Sequence, residues 1–251
     1  MRRAEAPPAA SVASSRLRPA RDEEGRRASP RAAEKRGRLF HVKHISTDRD
    51  RAFALVPEMA PAADRLETFV ALLDRWRKVT DLVSDASFAE VWTRHVADSA
   101  QLAALAPDAK LWLDLGSGAG FPGLIVAIVA EGATVHCVDS DSRKCAFLRE
   151  AARACGARAV VHASRIEALA AEAVGPVDVV TARAFGPLPR LLAHAKFWLK
   201  SGAVGLFPQG ESQSAAALDP ALVAGFDVTQ LPNCVEPAAA ILRFQAARPP
   251  S

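Results

Sequence analysis

The chain has 251 residues, of which 50% are hydrophobic and 24% are charged. These proportions are typical of a chain that folds around an apolar core, and they argue against a disordered or membrane-embedded protein. The apolar run at 124–130 is far shorter than the roughly 20 residues of a membrane-spanning helix, and the Arg-rich start lacks the apolar stretch of a secretory signal. We therefore expect a cytoplasmic protein without a membrane partner. A monomer is the default expectation for its oligomeric state.

The charged and sulfur-containing residues narrow the possible partners. The formal net charge of +4 suits an anionic partner, although much of the basic excess lies before residue 44 and charge alone is weak evidence for RNA binding. The four cysteines show no C-x-x-C spacing, and the histidines show no metal-ligand spacing with carboxylates or cysteines. We expect reduced thiols and no bound metal.

The first 109 residues divide into two stretches. Residues 1–40 are rich in Ala, Pro, Ser and Arg without apolar periodicity, which predicts a disordered basic extension, either a solvated tail or an RNA-binding arm. Residues 41–109 predict an N-terminal helical cap, because apolar side chains recur at helical spacing over 64–79 and 87–105. His95 lies on the apolar side of the second helix, which favours a core position.

From residue 110 to 251, short apolar runs alternate with helical stretches, which is typical of βαβ units. The predicted fold class is α/β, with a mainly parallel seven-stranded sheet. Strands are expected near 111–115, 134–138, 158–162, 177–182, 203–208, 225–230 and 240–246. Helices are expected to begin near Pro122, Ser142, Ile166, Leu188 and Glu211.

A glycine-rich loop follows the first predicted strand directly and reads G-S-G-A-G-F-P-G over 116–123. A strand, a tight turn and a helix N-terminus in this order are what a nucleotide cofactor site requires. Glycine allows the positive φ of such a turn and a close approach of the backbone to a ligand. Phe121 stands where the dinucleotide fingerprint has its third glycine, which disfavours a NAD-dependent oxidoreductase but leaves it open as an alternative.

The spacing that is present includes an acid and three glycines. Asp114, Gly116, Gly118 and Gly120 form D-x-G-x-G-x-G, which resembles motif I of Rossmann-like methyltransferases. The resemblance implies that Asp114 and the backbone of the loop contact the methionine end of S-adenosylmethionine.

Three later segments also follow strands and are expected at the carboxyl edge of the sheet, where open α/β sheets bind ligands. Asp139 and Ser140 are placed to bind ribose hydroxyls, although Asp139 could equally cap the next helix. The segment 164–167, S-R-I-E, could approach an adenine ring, and its Ser and Glu also fit a capping box. Arg183 comes directly after the fourth strand, well placed for a carboxylate or a phosphate.

Together these segments resemble the ribosomal small-subunit methyltransferase G family, formerly called glucose-inhibited division protein B. The resemblance covers about residues 64–246. It depends above all on R-H-V-A-D-S at 94–99 ahead of the glycine loop and on R-A-F at 183–185, with further matches at 81–84, 138–140, 143–148 and 164–167. It implies a Rossmann-like class I methyltransferase fold with S-adenosylmethionine as cofactor.

The family resemblance also implies a reaction and a partner. The implied reaction is methyl transfer to N7 of one guanosine in the decoding-region loop of bacterial 16S rRNA, either free or in the 30S subunit. The implied cofactor contacts are Gly116, Phe121, Ile166, Glu167 and Arg183. The alternatives are a methyltransferase of the same fold that acts on another RNA, a protein or a small molecule, and a non-catalytic RNA-binding module. Ala119, Phe121 and Gln209 depart from the Pro, Leu and Lys that family members commonly have.

The implied acceptor decides which catalytic groups to expect. Guanine N7 carries a lone pair and no proton, so no residue is expected to be essential as an acid or a base, and catalysis would come from positioning and desolvation. We expect Arg183, Arg165 and Lys144 to hold phosphate or guanine acceptors, because basic side chains bind these groups. Arg94 and His95 would support the rim of the site.

Overall fold

The computed structural model describes residues 47–169, 171–210 and 218–247. The extension predicted at 1–40, the start of the predicted cap at 41–46 and the helix predicted to begin near Glu211 lie outside these residues. The division of the chain at residues 40 and 109 stays a prediction.

Helices and strands alternate along most of the described chain. The α-helices are α1 (Asp48–Leu55), α2 (Ala63–Trp76), α3 (Asp85–Phe88), α4 (Asp98–Leu105), α5 (Gly123–Val129), α6 (Ser142–Ala154), α7 (Ala171–Val174), α8 (Leu188–Lys200) and α9 (Pro220–Val223). The strands are β1 (Leu111–Leu115), β2 (Thr134–Asp139), β3 (Ala159–Ala163), β4 (Val179–Thr181), β5 (Val204–Gln209), β6 (Phe226–Pro232) and β7 (Ala240–Ala246). All seven strands lie close to their predicted positions.

The strands form one sheet in the order β3-β2-β1-β4-β5-β7-β6. β1, β2, β3, β4 and β5 pair in parallel, whereas β7 is antiparallel to both β5 and β6. This confirms the predicted α/β class with a mainly parallel sheet. Because the first five strands are parallel, their carboxyl ends lie at one edge, which brings the segments after β1, β2, β3 and β4 together there.

Alternation along the buried strand β1 divides the core into two layers. Trp112 packs with α2, α5 and α6 on one face of the sheet, and Leu113 and Leu115 pack with α8 on the other. Both faces are therefore covered, as the near-continuous apolar strands require. The buried side chains of α2, including Leu66 and Phe69, belong to the same layer as Trp112.

The helix predicted over 64–79 is α2, and polar contacts attach it to α6. The Arg65 guanidinium donates through Nε to the Cys155 carbonyl at 2.7 Å and through Nη2 to the Gly156 carbonyl at 3.2 Å. A helix C-terminus leaves its last carbonyls without intrahelical donors, so this arginine satisfies two acceptors after α6. Trp76 Nε1 donates to Glu150 at 3.2 Å on the same side.

The prediction of a single helix over 87–105 is wrong. The helix α3 ends at Phe88, and helical structure resumes at residue 91 with the π-helical segment Trp92–Ala97, which runs into α4. The new start is capped by Asp48 from α1, which accepts from the Trp92 N–H at 2.8 Å, the Thr93 N–H at 3.3 Å and Thr93 Oγ1 at 2.6 Å. This cap comes from a residue more than forty positions away, which helical periodicity within the segment does not reveal.

The prediction that an α-helix begins at Ile166 is also wrong. The structure has a 3-10 turn at Ile166–Ala168, and α7 begins only at Ala171. The backbone of Leu169, at ψ 110°, has left the helical region, which ends the turn after three residues.

We expect Asp48→Ala to lower the free energy of unfolding by about 1–2 kcal/mol, because it removes the cap of the π-helical segment. Urea unfolding followed by circular dichroism would measure the difference. The matched control is Asp108→Ala, which removes an exposed carboxylate and should change stability by no more than about 0.5 kcal/mol. Equal effects of the two substitutions would contradict the capping role of Asp48.

Candidate cofactor and acceptor site

The glycine loop after β1 folds back against the end of β2. The N–H groups of Gly116 and Ser117 both donate to the Val138 carbonyl at 2.9 Å. Gly116 has a φ of +75°, and a Cβ built on it would lie 3.0 Å from the Phe185 ring. A side chain here would meet both a strained backbone and a filled space, which explains the glycine.

Asp114 lies beneath the loop. Its side chain is 0% exposed; Oδ2 accepts from the Gly123 N–H at 3.1 Å, while Oδ1 has no partner among the described residues. A Cβ on Gly123 would come within 2.5 Å of the carboxylate, so glycine is needed where α5 begins. Burial raises the pKa of Asp114 to about 6. The contact of Asp114 with a cofactor stays a prediction.

Asp139, which ends β2, binds the loop. Its Oδ2 accepts from the Gly118 N–H at 2.9 Å, and its Oδ1 accepts from the Asp141 N–H at 2.8 Å. The cap of α6 is Asp141, whose Oδ1 accepts from the N–H groups of Arg143 at 2.8 Å and Lys144 at 3.2 Å. Of the two roles that the sequence left open for Asp139, capping of α6 therefore falls to Asp141.

A cavity of about 130 Å³, which we call the loop cavity, lies at the carboxyl ends of β1, β2 and β3. Six of the predicted site residues line it: Gly116, Asp139, Ser140, Arg165, Ile166 and Glu167. They come from segments that follow three different strands. The parallel topology thus assembles them into one site.

Ser164 lines the loop cavity but does not form the predicted capping box. Arg165 holds the cap position of the following 3-10 turn, and no side chain caps that turn. The Ser164 hydroxyl is buried without a partner in the described part of the chain, while its N–H donates to the Asp139 carbonyl at 3.0 Å. A buried hydroxyl without a partner at the edge of a cavity is available to a ligand.

The helix α8 brings Arg190 to the loop cavity, and His194 contacts Glu167 in its lining. Glu167 Oε1 lies 3.9 Å from Arg190 Nη2 and 3.5 Å from His194 Nε2. Its own backbone N–H is the main cause that lowers the pKa of Glu167. The Phe185 ring meets the His194 ring edge-on at 5.6 Å and the Arg190 guanidinium at 5.8 Å. Arg190 and His194 carry no signal in the sequence, because a helical pattern does not show which side chains turn toward a neighbouring loop.

The segment Arg183-Ala184-Phe185 after β4 separates the loop cavity from a larger cavity. Arg183 and Ala184 line the larger one, whereas Phe185 lines the loop cavity. Ala184 has a φ of +53° and is the one non-glycine residue with positive φ in the described ranges. Such a conformation costs energy for an L-residue and tends to persist where function needs it. Here it accompanies the switch of the chain from one cavity to the other.

The larger cavity, which we call the cap cavity, has a volume of about 720 Å³. This lies within the range of roughly 300–1,000 Å³ for small-molecule sites. Its charged and polar lining is made of Arg51, Glu90, Thr93, Arg94, His95, Asp98, Arg183, Gln209, Asn233 and Glu236. Both cations and anions line it, so the cavity suits a polar ligand with both donors and acceptors.

Arg183 is held in this lining by three hydrogen bonds. Its Nη1 donates to the Arg94 carbonyl at 3.0 Å and to Asp98 Oδ2 at 3.1 Å, and its Nη2 donates to His95 Nδ1 at 2.6 Å. The guanidinium carbon lies 5.1 Å from the centre of the Phe121 ring. Burial lowers the pKa of Arg183, and the Asp98 carboxylate opposes that shift.

His95 lies in the wall of the cap cavity and is only partly buried, whereas its place on the predicted helix had favoured the core. Its ring stacks on Phe121 at 4.9 Å, and its Nε2 contacts Ser87 Oγ. Burial and the charge of Arg183 lower the pKa of His95 to about 3. The ring is therefore neutral at physiological pH, and its Nδ1 can accept from Arg183.

Besides Asp114, four further predicted site residues line neither the loop cavity nor the cap cavity. Gly118 is bound to Asp139, and Gly120 packs against Leu124, which a Cβ would approach to 3.0 Å. Phe121 is buried, and Lys144 lies in the first turn of α6. Their contacts with a cofactor or RNA stay predictions.

The described side chains include no group of three or more His, Cys, Asp or Glu placed to hold a metal ion. Within the same ranges, no helix combines the length and the apolar character needed to cross a membrane. All four cysteines are free.

We expect Asp114→Asn to change the pH dependence of stability. An acid whose pKa rises on folding, here from 3.8 to about 6, holds an extra proton in the folded state between these values. The free energy of unfolding of the parent protein therefore falls as pH rises through this window, and the variant lacks that fall. Relative to the parent, the variant should gain up to about 3 kcal/mol between about pH 4 and pH 7 in urea unfolding.

Asp141→Asn is the control for the sign of this effect. The backbone N–H groups of Lys144 and Arg143 lower the pKa of Asp141, so its ionised form stabilises the folded state and that contribution is lost as pH falls. This variant should therefore lose stability relative to the parent as pH rises, opposite to Asp114→Asn. The same trend in both variants would contradict the assignment for Asp114.

Comparisons with known proteins identify the family. The model of the family described as rRNA small subunit methyltransferase G matches residues 62–237. The ribosomal RNA small subunit methyltransferase G of Methylobacterium nodulans is 44% identical over 205 residues, which cover 80% of this chain and 96% of that protein. The protein of the same name from Methylorubrum populi is 52% identical over 156 residues, covering 61% of this chain and 74% of that protein.

A solved structure of low sequence identity shows the same fold. The structure of a mutant of MtNAS superposes with a TM-score of 0.50 at 17% identity, covering 82% of this chain and 80% of that one. The family model spans the glycine loop, the R-H-V-A-D-S segment and the wall at 183–185. This overturns the nicotinamide alternative, and the chain belongs to the rRNA small subunit methyltransferase G family.

Proposed function

We propose that this methyltransferase modifies N7 of one guanosine in 16S rRNA, free or in the 30S subunit, and that it acts as a monomer in the cytoplasm. The observation that carries the proposal is the pair of cavities on either side of the wall at 183–185. One is lined by residues of the methyltransferase motifs, and the other has the size and polarity for a nucleotide. A donor and an acceptor bound on the two sides would be held close together, which is the main requirement for direct group transfer.

The methyl donor is S-adenosylmethionine, and the chemistry of the loop cavity fits its adenosine end. The carboxylate of Asp139 can accept from ribose hydroxyls, and the unpartnered hydroxyl of Ser164 can bond a polar atom of the adenosine. At about 130 Å³ the cavity is smaller than a complete ligand site of roughly 300–1,000 Å³. We therefore propose that the methionine end extends beyond it along the loop at 116–121.

The cap cavity would receive the acceptor guanosine. Guanine presents N7 and O6 as acceptors on one edge, and a bound nucleotide also carries phosphate oxygens. Arg94 is exposed in the cavity and can donate two hydrogen bonds to such groups. Arg183, already bound to Asp98 and His95, would support the placement of the base from the wall.

The reaction needs no general base, and the state of His95 agrees with that. S-adenosylmethionine supplies a methyl group on a cationic sulfur. The N7 lone pair forms the new bond to carbon as the carbon–sulfur bond breaks and its electrons stay with sulfur, and N7 has no proton to lose. His95 is neutral because of its lowered pKa, and its Nδ1 is occupied by the donor Nη2 of Arg183.

What the protein must supply is therefore position and electrostatic compensation. Positive charge moves from sulfur to the guanine ring during the transfer, so carboxylates near the acceptor stabilise the product side. Glu90, Asp98 and Glu236 line the cap cavity. Asp98 is paired with Arg183, and the other two carboxylates are exposed.

The proposal is tested by mapping the modified base. The purified protein is incubated with methyl-labelled S-adenosylmethionine and undermethylated 30S subunits or their 16S rRNA, and N7-methylguanosine is located by borohydride reduction and aniline cleavage. We expect one cleavage in the decoding-region loop. Failure on both substrates with intact cofactor binding would contradict the RNA acceptor and favour a protein or a small molecule. Failure to bind the cofactor would favour the non-catalytic alternative.

We expect Arg183→Ala to lower kcat/KM for rRNA methylation roughly 100-fold, because a misplaced acceptor costs about that much. Arg183→Lys should fall between the parent and the alanine variant, since an ammonium can pair with Asp98 but cannot reproduce the planar fork. Arg153→Ala removes an exposed arginine from the last turn of α6 and should leave the rate unchanged. Normal rate and cofactor affinity in Arg183→Ala would contradict its central role.

A further inference from the structure

We propose that Asn233, in the connection between β6 and β7, is a positioning residue that acts on the methyl transfer through Asp98 and Arg183. The inference rests on the proposed function, because it assumes that the cap cavity receives the acceptor. It assigns a role to the β6–β7 connection, which carries none of the methyltransferase motifs.

Asn233 is 5% exposed, and both the oxygen and the nitrogen of its side-chain amide form hydrogen bonds. Its Oδ1 accepts from Gln101 Nε2 at 3.0 Å, from the Val235 N–H at 2.8 Å and from the Glu236 N–H at 2.9 Å. Its Nδ2 donates to Asp98 Oδ1 at 2.8 Å. The acceptor end thus shapes the connection itself, and the donor end reaches the helical segment that faces the cavity.

Asp98 connects Asn233 to Arg183, which lies in the wall between the two cavities. Its Oδ1 receives Asn233 Nδ2 and Gln101 Nε2, the latter at 3.0 Å, while its Oδ2 receives Arg183 Nη1 at 3.1 Å. The two amides therefore fix the rotation of the carboxylate, and the carboxylate fixes one arm of the guanidinium. Partly buried hydrogen bonds of this kind hold charged groups in one geometry because the alternative is an unpaired charge.

Gln101 makes a second connection between α4 and the β6–β7 connection. Its Nε2 also donates to the Asp98 carbonyl at 3.0 Å, and its Oε1 accepts from the Cys234 N–H at 3.0 Å. The helix α4 and the β6–β7 connection are thereby joined by side chains more than 130 positions apart. Both amides could be replaced by carboxylates of the same shape, which keep the acceptor and lose the donor.

Asn233→Asp is the decisive variant for this reason. It keeps the acceptor for Val235, Glu236 and Gln101, but it places a second carboxylate against Asp98. At high pH the two carboxylates repel each other, and Asp98 no longer holds the Arg183 guanidinium in its orientation. At lower pH they can share one proton, which restores a donor at the original place. Other titratable or charged groups around this pair are Arg183, Arg94, His95, Cys234, Glu58 and Glu236.

The experiment measures the single-turnover rate of 30S methylation for the variant and the parent at a series of pH values. We expect the variant to be slower by roughly 10- to 100-fold at high pH, and the ratio of its rate to that of the parent to rise as pH falls. Asn233→Ala, which has no proton to share, should show a deficit that does not depend on pH. A variant ratio near one at all pH values, or the same flat deficit in both variants, would overturn the inference.

A second readout does not need RNA. In the parent, Arg183 donates to His95 Nδ1, so nitrogen NMR shifts of the His95 ring report whether the guanidinium is in place. Asn233→Asp should move the Nδ1 signal at high pH and return it toward the parent value at low pH. An unmoved signal would overturn the inference even if the protein methylated no rRNA, whereas inactivity of the parent would overturn only the proposed function.

Gln101→Glu makes the same change from the side of α4. If Asn233→Asp does not fold, as judged by circular dichroism, this variant carries the test with the same two readouts. It should show the same recovery of rate and of the His95 signal at low pH. A flat deficit, or a parental rate and spectrum, would contradict the inference.

Discussion

The ion pair between Arg183 and Asp98 is the contact on which the arrangement of the site depends. Arg183 follows β4, and Asp98 begins α4, so the pair joins the sheet to the helices before it. Both side chains are largely buried, with exposed fractions of 17% and 13%. Breaking a buried pair leaves a charge without compensation, which costs several kcal/mol. The wall between the cavities and the lining of the cap cavity therefore depend on each other.

The other side of the wall depends on how the glycine loop is held. Asp114 binds the start of α5 from below, and Asp139 binds Gly118 from the side. The backbone of the loop is thus fixed by two carboxylates before any ligand arrives, and fixed dipoles need no reorganisation during reaction. Asp114 is kept in place even though its burial disfavours the charged form. A buried, partly unsatisfied acid is a local cost that a site can retain when it fixes a functional loop.

The parts of this site that sequence predicts are those coded by neighbours along the chain. The strands, the glycine loop and the acid after β2 follow from short-range patterns, and parallel pairing then brings them to one edge. The broken helix at 89–90 and the Asp98–Gln101–Asn233 contacts depend on side chains far apart in the chain. Asp98 belongs to the R-H-V-A-D-S motif, but the sequence does not show which residues bind it. Asn233 carried no signal, because an Asn after a strand ordinarily indicates only a turn.

The π-helical segment explains how one arginine can reach so many partners. In a regular α-helix the Arg94 carbonyl would accept from the Asp98 N–H. Here that N–H donates to the carbonyls of Thr93 and His95, and the Arg94 carbonyl accepts from Arg183 instead. The widened turn thus presents a backbone acceptor, the ring of His95 and the carboxylate of Asp98 to the same guanidinium. Single π-turns within helices are often found at functional sites, and this one supplies the polar groups that hold the buried guanidinium of Arg183 in place.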